Sequence, residues 1–196
     1  MTSSRYLTIQ QIEPFVKDMM FFVDFMEKHG ERVDLTVDMA MEWANDIDWE
    51  KAAQRMFGEE RQRAFFDYQS GAKARRDTDR DALETAYMGT CTKAAADYDA
   101  SVADMKTDLN AKTAVLEKNL NEGTKDDATI GKTVEEWMKE NKAVVEAFHT
   151  VSAPYKGVRD EITTGAKARY KAALEAVETA YNRSLANQFA TLYINC

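Results

Sequence analysis

Gly71-Ala72-Lys73-Ala74-Arg75 recurs 94 residues later as Gly165-Ala166-Lys167-Ala168-Arg169, and in the same register Glu84-Thr85-Ala86-Tyr87 recurs as Glu178-Thr179-Ala180-Tyr181. Across residues 67–87 and 161–181, 10 of 21 positions are identical. The same offset lays Glu42-Trp43 on Glu136-Trp137. With a one-residue gap, Asp34-Leu35-Thr36-Val37 lines up with Asp127-Ala128-Thr129-Ile130. Alanine-rich stretches resemble one another by composition, so the weight falls on the matches containing Gly, Tyr and Trp. The recurrence predicts a duplicated unit of about 94 residues. That is longer than the 20–50 residues that mark solenoids and long enough for three helices.

The residues between these motifs read as helix. Proline is nearly absent (2 in 196 residues), while Ala, Glu, Lys, Leu, Met and Asp fill most positions, a balance that favours helix over strand. The expected fold is all-α: two tandem copies of a three-helix unit, residues 1–94 and 95–196, joined by a long continuous helix in a coiled-coil-like bundle. In the first copy the helices are expected near 9–29, 36–56 and from Glu60 onward. In the second they are expected near 95–121, 133–151 and from Pro154 onward. Gly30 and Gly123 supply the conformational freedom that commonly ends a helix. Thr133 with Glu136 fits a capping box, and Pro154 suits a first helical turn because its missing N–H costs nothing there.

From residue 60 to 121 there is no proline, only Gly71 and Gly89. Apolar or small residues fall at Tyr87, Cys91, Ala94, Tyr98, Val102, Met105 and Leu109. Their steps of 4, 3, 4, 4, 3 and 4 keep one side of a nearly straight helix apolar. Unbroken, such a helix spans on the order of 90 Å. The equivalent stripe in the second copy is Tyr170, Leu174, Val177, Tyr181, Leu185 and Phe189. Three-helix units joined by a continuous helix, each with an internal tryptophan, resemble spectrin-type repeats in layout, and the resemblance implies nothing about function.

The charge pattern narrows the partners. The net charge is -8, whereas broad nucleic-acid binding needs a surplus of Lys and Arg. No nucleic-acid partner is expected. The acidic excess is concentrated early, with 6 basic and 13 acidic side chains in residues 1–60. The most apolar stretch, Phe15 to Met26, is interrupted by Lys17, Asp18 and Asp24 and falls short of the roughly 20 apolar residues of a membrane span. The N-terminus lacks the charged-then-apolar pattern of a signal peptide. Cys91 and Cys196 make no disulfide framework. The expected location is the cytoplasm or a viral particle assembled there, without secretion by a signal peptide.

Sites of chemistry are sparse. A ferritin-like centre needs a Glu-x-x-His motif on each of two helices. Only Glu146-Ala147-Phe148-His149 has that spacing, and its duplicate positions hold Ala52 and Arg55. The other histidine, His29, sits beside a helix-ending glycine. Cys91 has no histidine near it in sequence, and a cysteine in an alanine-rich stripe is usually a small core residue. There is no glycine-rich phosphate loop and no Cys-x-x-Cys. No enzyme activity, cofactor or metal is expected, and no catalytic residue is assigned.

Two features point to partners instead. The duplicated Gly-Ala-Lys-Ala-Arg segments flank small residues with Lys73 and Arg75, and with Lys167 and Arg169, which could dock an acidic group. Tight helix packing with a solvated basic edge explains them more simply. The duplicated Glu84/Tyr87 and Glu178/Tyr181 pairs read as core tyrosines with an edge hydroxyl. The second feature is the run Phe15-Val16-Lys17-Asp18-Met19-Met20-Phe21-Phe22-Val23-Asp24-Phe25-Met26, apolar around nearly its whole circumference, which demands burial on most sides. Its counterpart near Thr113–Leu120 is far more polar. Phe15, Met19, Phe22, Phe25 and Met26 are therefore candidate partner-binding residues. The expected function is a non-enzymatic structural or assembly protein, such as a bacteriophage virion component, docking through this N-terminal helix onto protein partners or a second copy. The alternative is a small acidic helical module that inhibits or sequesters a partner protein.

Overall fold

The computed structural model describes residues 6–123 and 130–195. The aligned Asp127-Ala128-Thr129 segment and Cys196 lie outside them. The chain is mostly helical, and two long helices pack against each other. Its elements are β1 (Tyr6–Thr8), α1 (Ile9–Ile12), a 3₁₀ turn (Glu13–Phe15), α2 (Met19–His29), β2 (Arg32–Asp34), α3 (Val37–Glu42), α4 (Trp49–Met56), α5 (Glu59–Gly123) and α6 (Ile130–Ile194). They form two compact units, one of Met1–Glu84 with Tyr170–Cys196 and the other of Thr85–Arg169.

These elements do not reproduce a tandem pair of three-helix units. The expected helix over 9–29 is broken twice. Pro14 opens a 3₁₀ turn, where its missing N–H costs nothing. Asp18 then starts a new helix, its carboxylate accepting the Met20 N–H at 2.9 Å. The expected helix over 36–56 splits into α3 and α4 at Trp43–Asp48. Asp48 is the N-cap of α4, accepting the Lys51 N–H at 3.2 Å, a role short acidic side chains fill well. The expected helices over 133–151 and from Pro154 are one helix, with Pro154 inside α6 and Thr133 in its body rather than at its cap. A proline there loses one backbone bond and crowds the Thr150 carbonyl, a cost of about 3 kcal/mol. Ser152, buried before the proline, and Arg159, over the Tyr98 ring of α5 after it, hold this stretch of α6 in place. Gly30 ends α2 as expected, with φ at +70°. Strand pairing was not anticipated: β1 and β2 run antiparallel, with Leu7 opposite Val33.

The first unit holds the hydrophobic core. Leu7, Ile12, Ile47, Phe65 and Phe189 are essentially fully buried. Phe189 of α6 is central to it: Phe57 stacks on it at 4.7 Å between centroids, Trp49 tilts against it at 4.9 Å and Tyr193 stacks at 5.8 Å. The Tyr193 hydroxyl donates to the Tyr6 carbonyl at 3.0 Å, tying β1 to the last turns of α6. Asn182 Nδ2 likewise donates to Asn45 Oδ1 at 2.9 Å.

Among the described residues the second unit contains only segments of α5 and α6. The apolar stripe of α5 turns inward there: Ala94 and Val102 are buried, and Tyr98, Met105 and Leu109 are half-buried. From α6, Ser152 and Ala166 are buried. The Arg159 guanidinium lies 4.8 Å over the Tyr98 ring and pairs with Asp160 at 2.7 Å. Helix α5 runs unbroken through both Gly71 and Gly89.

Candidate interaction surfaces

The N-terminal residues divide between core and surface. Phe15 and Phe25 are buried and belong to the core of the first unit, and Phe22 packs partly buried against it. Met19, Met20, Val23 and Met26 stand 75, 66, 44 and 37 % exposed. Met19, Val23 and Met26 recur at i, i+4 and i+7 and so share one face of α2. The helix is thus half core and half exposed, and its apolar girdle is satisfied on one side only. Met20 and Val23 were missed by the sequence reading, which did not separate the two faces.

On the inner face of α2 an aromatic cluster surrounds Trp43. Phe21, Phe25 and His29 lie 5.6, 5.3 and 5.8 Å from it in edge-on geometry, an arrangement that suits ring quadrupoles. A cavity of about 250 Å³ opens beside these rings, bordered by Asp24, Lys28, Glu42 and Asp46. Burial pushes the Asp46 carboxyl above its usual range, and neighbouring Asp18 adds to this against a smaller opposing effect of Lys17.

The duplicated motifs sit in unlike surroundings. Ala72 in the first unit and Ala166 in the second are both buried, while Lys73, Arg75, Lys167 and Arg169 are exposed. The small residue at each motif thus serves close helix packing. Glu178 pairs with Arg76 at 3.7 Å and with Arg80 at 3.4 Å, and the Arg76 guanidinium lies 4.5 Å over the Tyr181 ring. The Tyr181 hydroxyl donates to Glu50 Oε1 at 3.2 Å. Burial raises the pKa of that hydroxyl, and Glu50 adds to the rise, while Gln69 and Arg76 pull the other way. This polar cluster joins α4, α5 and α6 within the first unit. Glu84 is exposed. Trp43 is buried among rings, whereas Trp137 is a half-buried residue within α6.

Glu146 and His149 are both exposed, and Glu146 pairs with Lys142 at 3.8 Å. Among the described residues no three His, Cys, Asp or Glu side chains gather as a metal site, and no helix is long and apolar enough to cross a membrane. Cys91 is half-buried on α5.

In the second unit a groove of about 380 Å³ opens between the helices, lined by Met105 and Leu109 from α5 and by Val144, Phe148 and Val151 from α6. The Asp108–Lys112 ion pair, at 2.7 Å, stands at its rim. From the groove onward α6 exposes Val151, Tyr155, Val158 and Ile162 at 54, 41, 57 and 39 %. The sequence reading missed this face, although a 4-3 spacing from Val144 to Ile162 announces it. No protein-family model matches the chain, and comparison with curated proteins and with solved structures likewise finds no match.

Proposed function

We propose that this chain is a non-enzymatic helical structural or assembly protein that docks onto a larger multi-protein assembly, such as a bacteriophage particle, through the exposed face of α2. One observation carries the reading: four large apolar side chains, three of them methionines, are presented to solvent on a helix whose other face is locked into a core. Methionine-rich apolar faces adapt to partner surfaces, and contiguous exposed apolar area marks interaction sites. In the same reading the 94-residue recurrence is an internal duplication of helical segments, each copy contributing one buried alanine to close helix packing.

Deleting residues 1–30 would remove Leu7, Ile12, Phe15 and Phe25 from the core and confuse docking with folding. The sharper test substitutes exposed residues only. Met20→Glu with Val23→Glu should leave the helical circular dichroism spectrum unchanged. The tagged variant should then lose the fixed set of proteins that the unaltered chain captures from its native source. Capture of the same set by the variant contradicts docking through α2.

The early excess of acidic residues favours a second reading, a small acidic helical module that sequesters a partner protein. Capture that weakens steeply with added salt favours that module, because exposed charges are screened. Salt-insensitive capture favours apolar docking.

A further inference from the structure

The second unit carries a face of α6 that its pairing with α5 covers only in part. Val144, Phe148, Val151, Tyr155, Val158 and Ile162 follow one another at steps of 4, 3, 4, 3 and 4. That spacing is a heptad, the period by which two helices wind together left-handedly. The residues that α6 buries in this unit border the stripe: Ala166 follows one turn beyond Ile162, and Ser152 lies one turn from Phe148 on its flank. Four members of the heptad are instead 39–57 % exposed. From Ala143 to Val158 the charged residues are Glu146 and Lys156. At about 100° per residue both fall on the far side of the helix.

We propose that two copies of this chain pair through this face, α6 against α6, antiparallel about a twofold axis level with residue 153. This surface is separate from α2, and the proposal does not rest on docking there. An isologous pair needs a self-complementary patch, and the stripe is one. Val151 comes opposite Tyr155 of the second copy, Phe148 opposite Val158, and Val144 opposite Ile162. Val158 and Ile162 of each copy thus arrive level with the groove lined by Met105, Leu109, Val144 and Val151, and fill it.

Charge selects the antiparallel direction. Arg169, Glu136 and Glu140 are exposed and make no ion pair among the described residues. With the axis at residue 153, Arg169 comes level with residue 137, between Glu136 and Glu140 of the second copy, at both ends of the contact. A parallel pair in register would instead set Glu136, Glu140 and Arg169 each against its own like charge, which is unfavourable. The stripe spans about 27 Å of helix, which places the contact at the small, concentration-dependent end of specific interfaces.

Sedimentation equilibrium of the full chain over a range of concentrations tests this directly. The mass should rise from one copy to two. Val158→Glu, at an exposed position, should keep the helical spectrum and raise the dissociation constant roughly tenfold or more, since it buries a charge on the apolar stripe. Arg169→Glu should weaken pairing, and adding Glu136→Arg with Glu140→Arg should restore it. The α2 variant Met20→Glu with Val23→Glu should pair as the unaltered chain does. A single copy at every concentration overturns the proposal. So does pairing that ignores Val158→Glu, or that is lost in the α2 variant instead.

Discussion

Two side chains show how single residues set this structure. Phe189 is met by Phe57, Trp49 and Tyr193, so the end of α6 and the N-terminal segments share one core. Asp48 acts by a different route. Its carboxylate accepts the Lys51 backbone N–H and pairs with the Lys51 ammonium at 3.0 Å, capping α4. Partial burial works to raise the Asp48 pKa, but the Lys51 hydrogen bonds and the Lys51 and Lys17 charges outweigh it and hold the carboxyl below its ordinary range. A carboxyl depressed in the folded state adds stability that is full above the unfolded pKa and lost as pH falls through the folded one. Asp48→Ala should therefore cost about 1 kcal/mol at neutral pH, as a lost N-cap does. The difference between this variant and the parent should shrink on acidification below the carboxylate range. Asp48→Asn should keep most of the cap without that pH dependence. Urea unfolding at neutral and acidic pH measures both.

At the scale of elements, the long α5 was legible because nothing in residues 60–121 opposes helix: no proline, and an apolar stripe that keeps one side. The short elements before it were not, because local polar residues decide them. Pro14, Asp18 and Asp48 each start an element by supplying or omitting a single backbone bond, and the longer apolar periodicity of 9–29 and 36–56 masks those signals. Pro154 misleads in the opposite direction. Locally it reads as a helix start, but packing against α5 carries α6 through it. Its substitution is informative. Pro154→Ala should restore the bond to the Thr150 carbonyl and stabilise the helix by about 1–3 kcal/mol, read as a higher midpoint in thermal unfolding followed by circular dichroism. An unchanged or lower midpoint would mean that the proline is fully accommodated. The α6 heptad escaped reading because one helix carries two faces of different period. The inward stripe from Tyr170 to Phe189 dominates the C-terminal end, and the 4-3 spacing of Val144–Ile162 lies on another face.

For the whole molecule, the two units divide the apolar residues differently. The first gathers aromatics from β1 to α4 and from both long helices into one core. The second buries only Ala94, Val102, Ser152 and Ala166 among the described residues and leaves larger side chains in water. The candidate site was legible as a stretch of sequence and not as a surface: the apolar run Phe15–Met26 is divided between a 3₁₀ turn and α2, and folding takes Phe15 and Phe25 inward and leaves Met19, Met20, Val23 and Met26 outside. In the proposed docking, this outer face of α2 is what the assembly covers. Methionine oxidation read residue by residue by mass spectrometry tests it, because exposed thioethers oxidise to sulfoxides and covered ones are spared. Met19 and Met20 should oxidise readily in the free chain and be protected in the captured assembly, while Met88, 55 % exposed on α5, stays reactive in both. Equal oxidation of Met19 and Met20 in the free and assembled chain would rule out docking through α2.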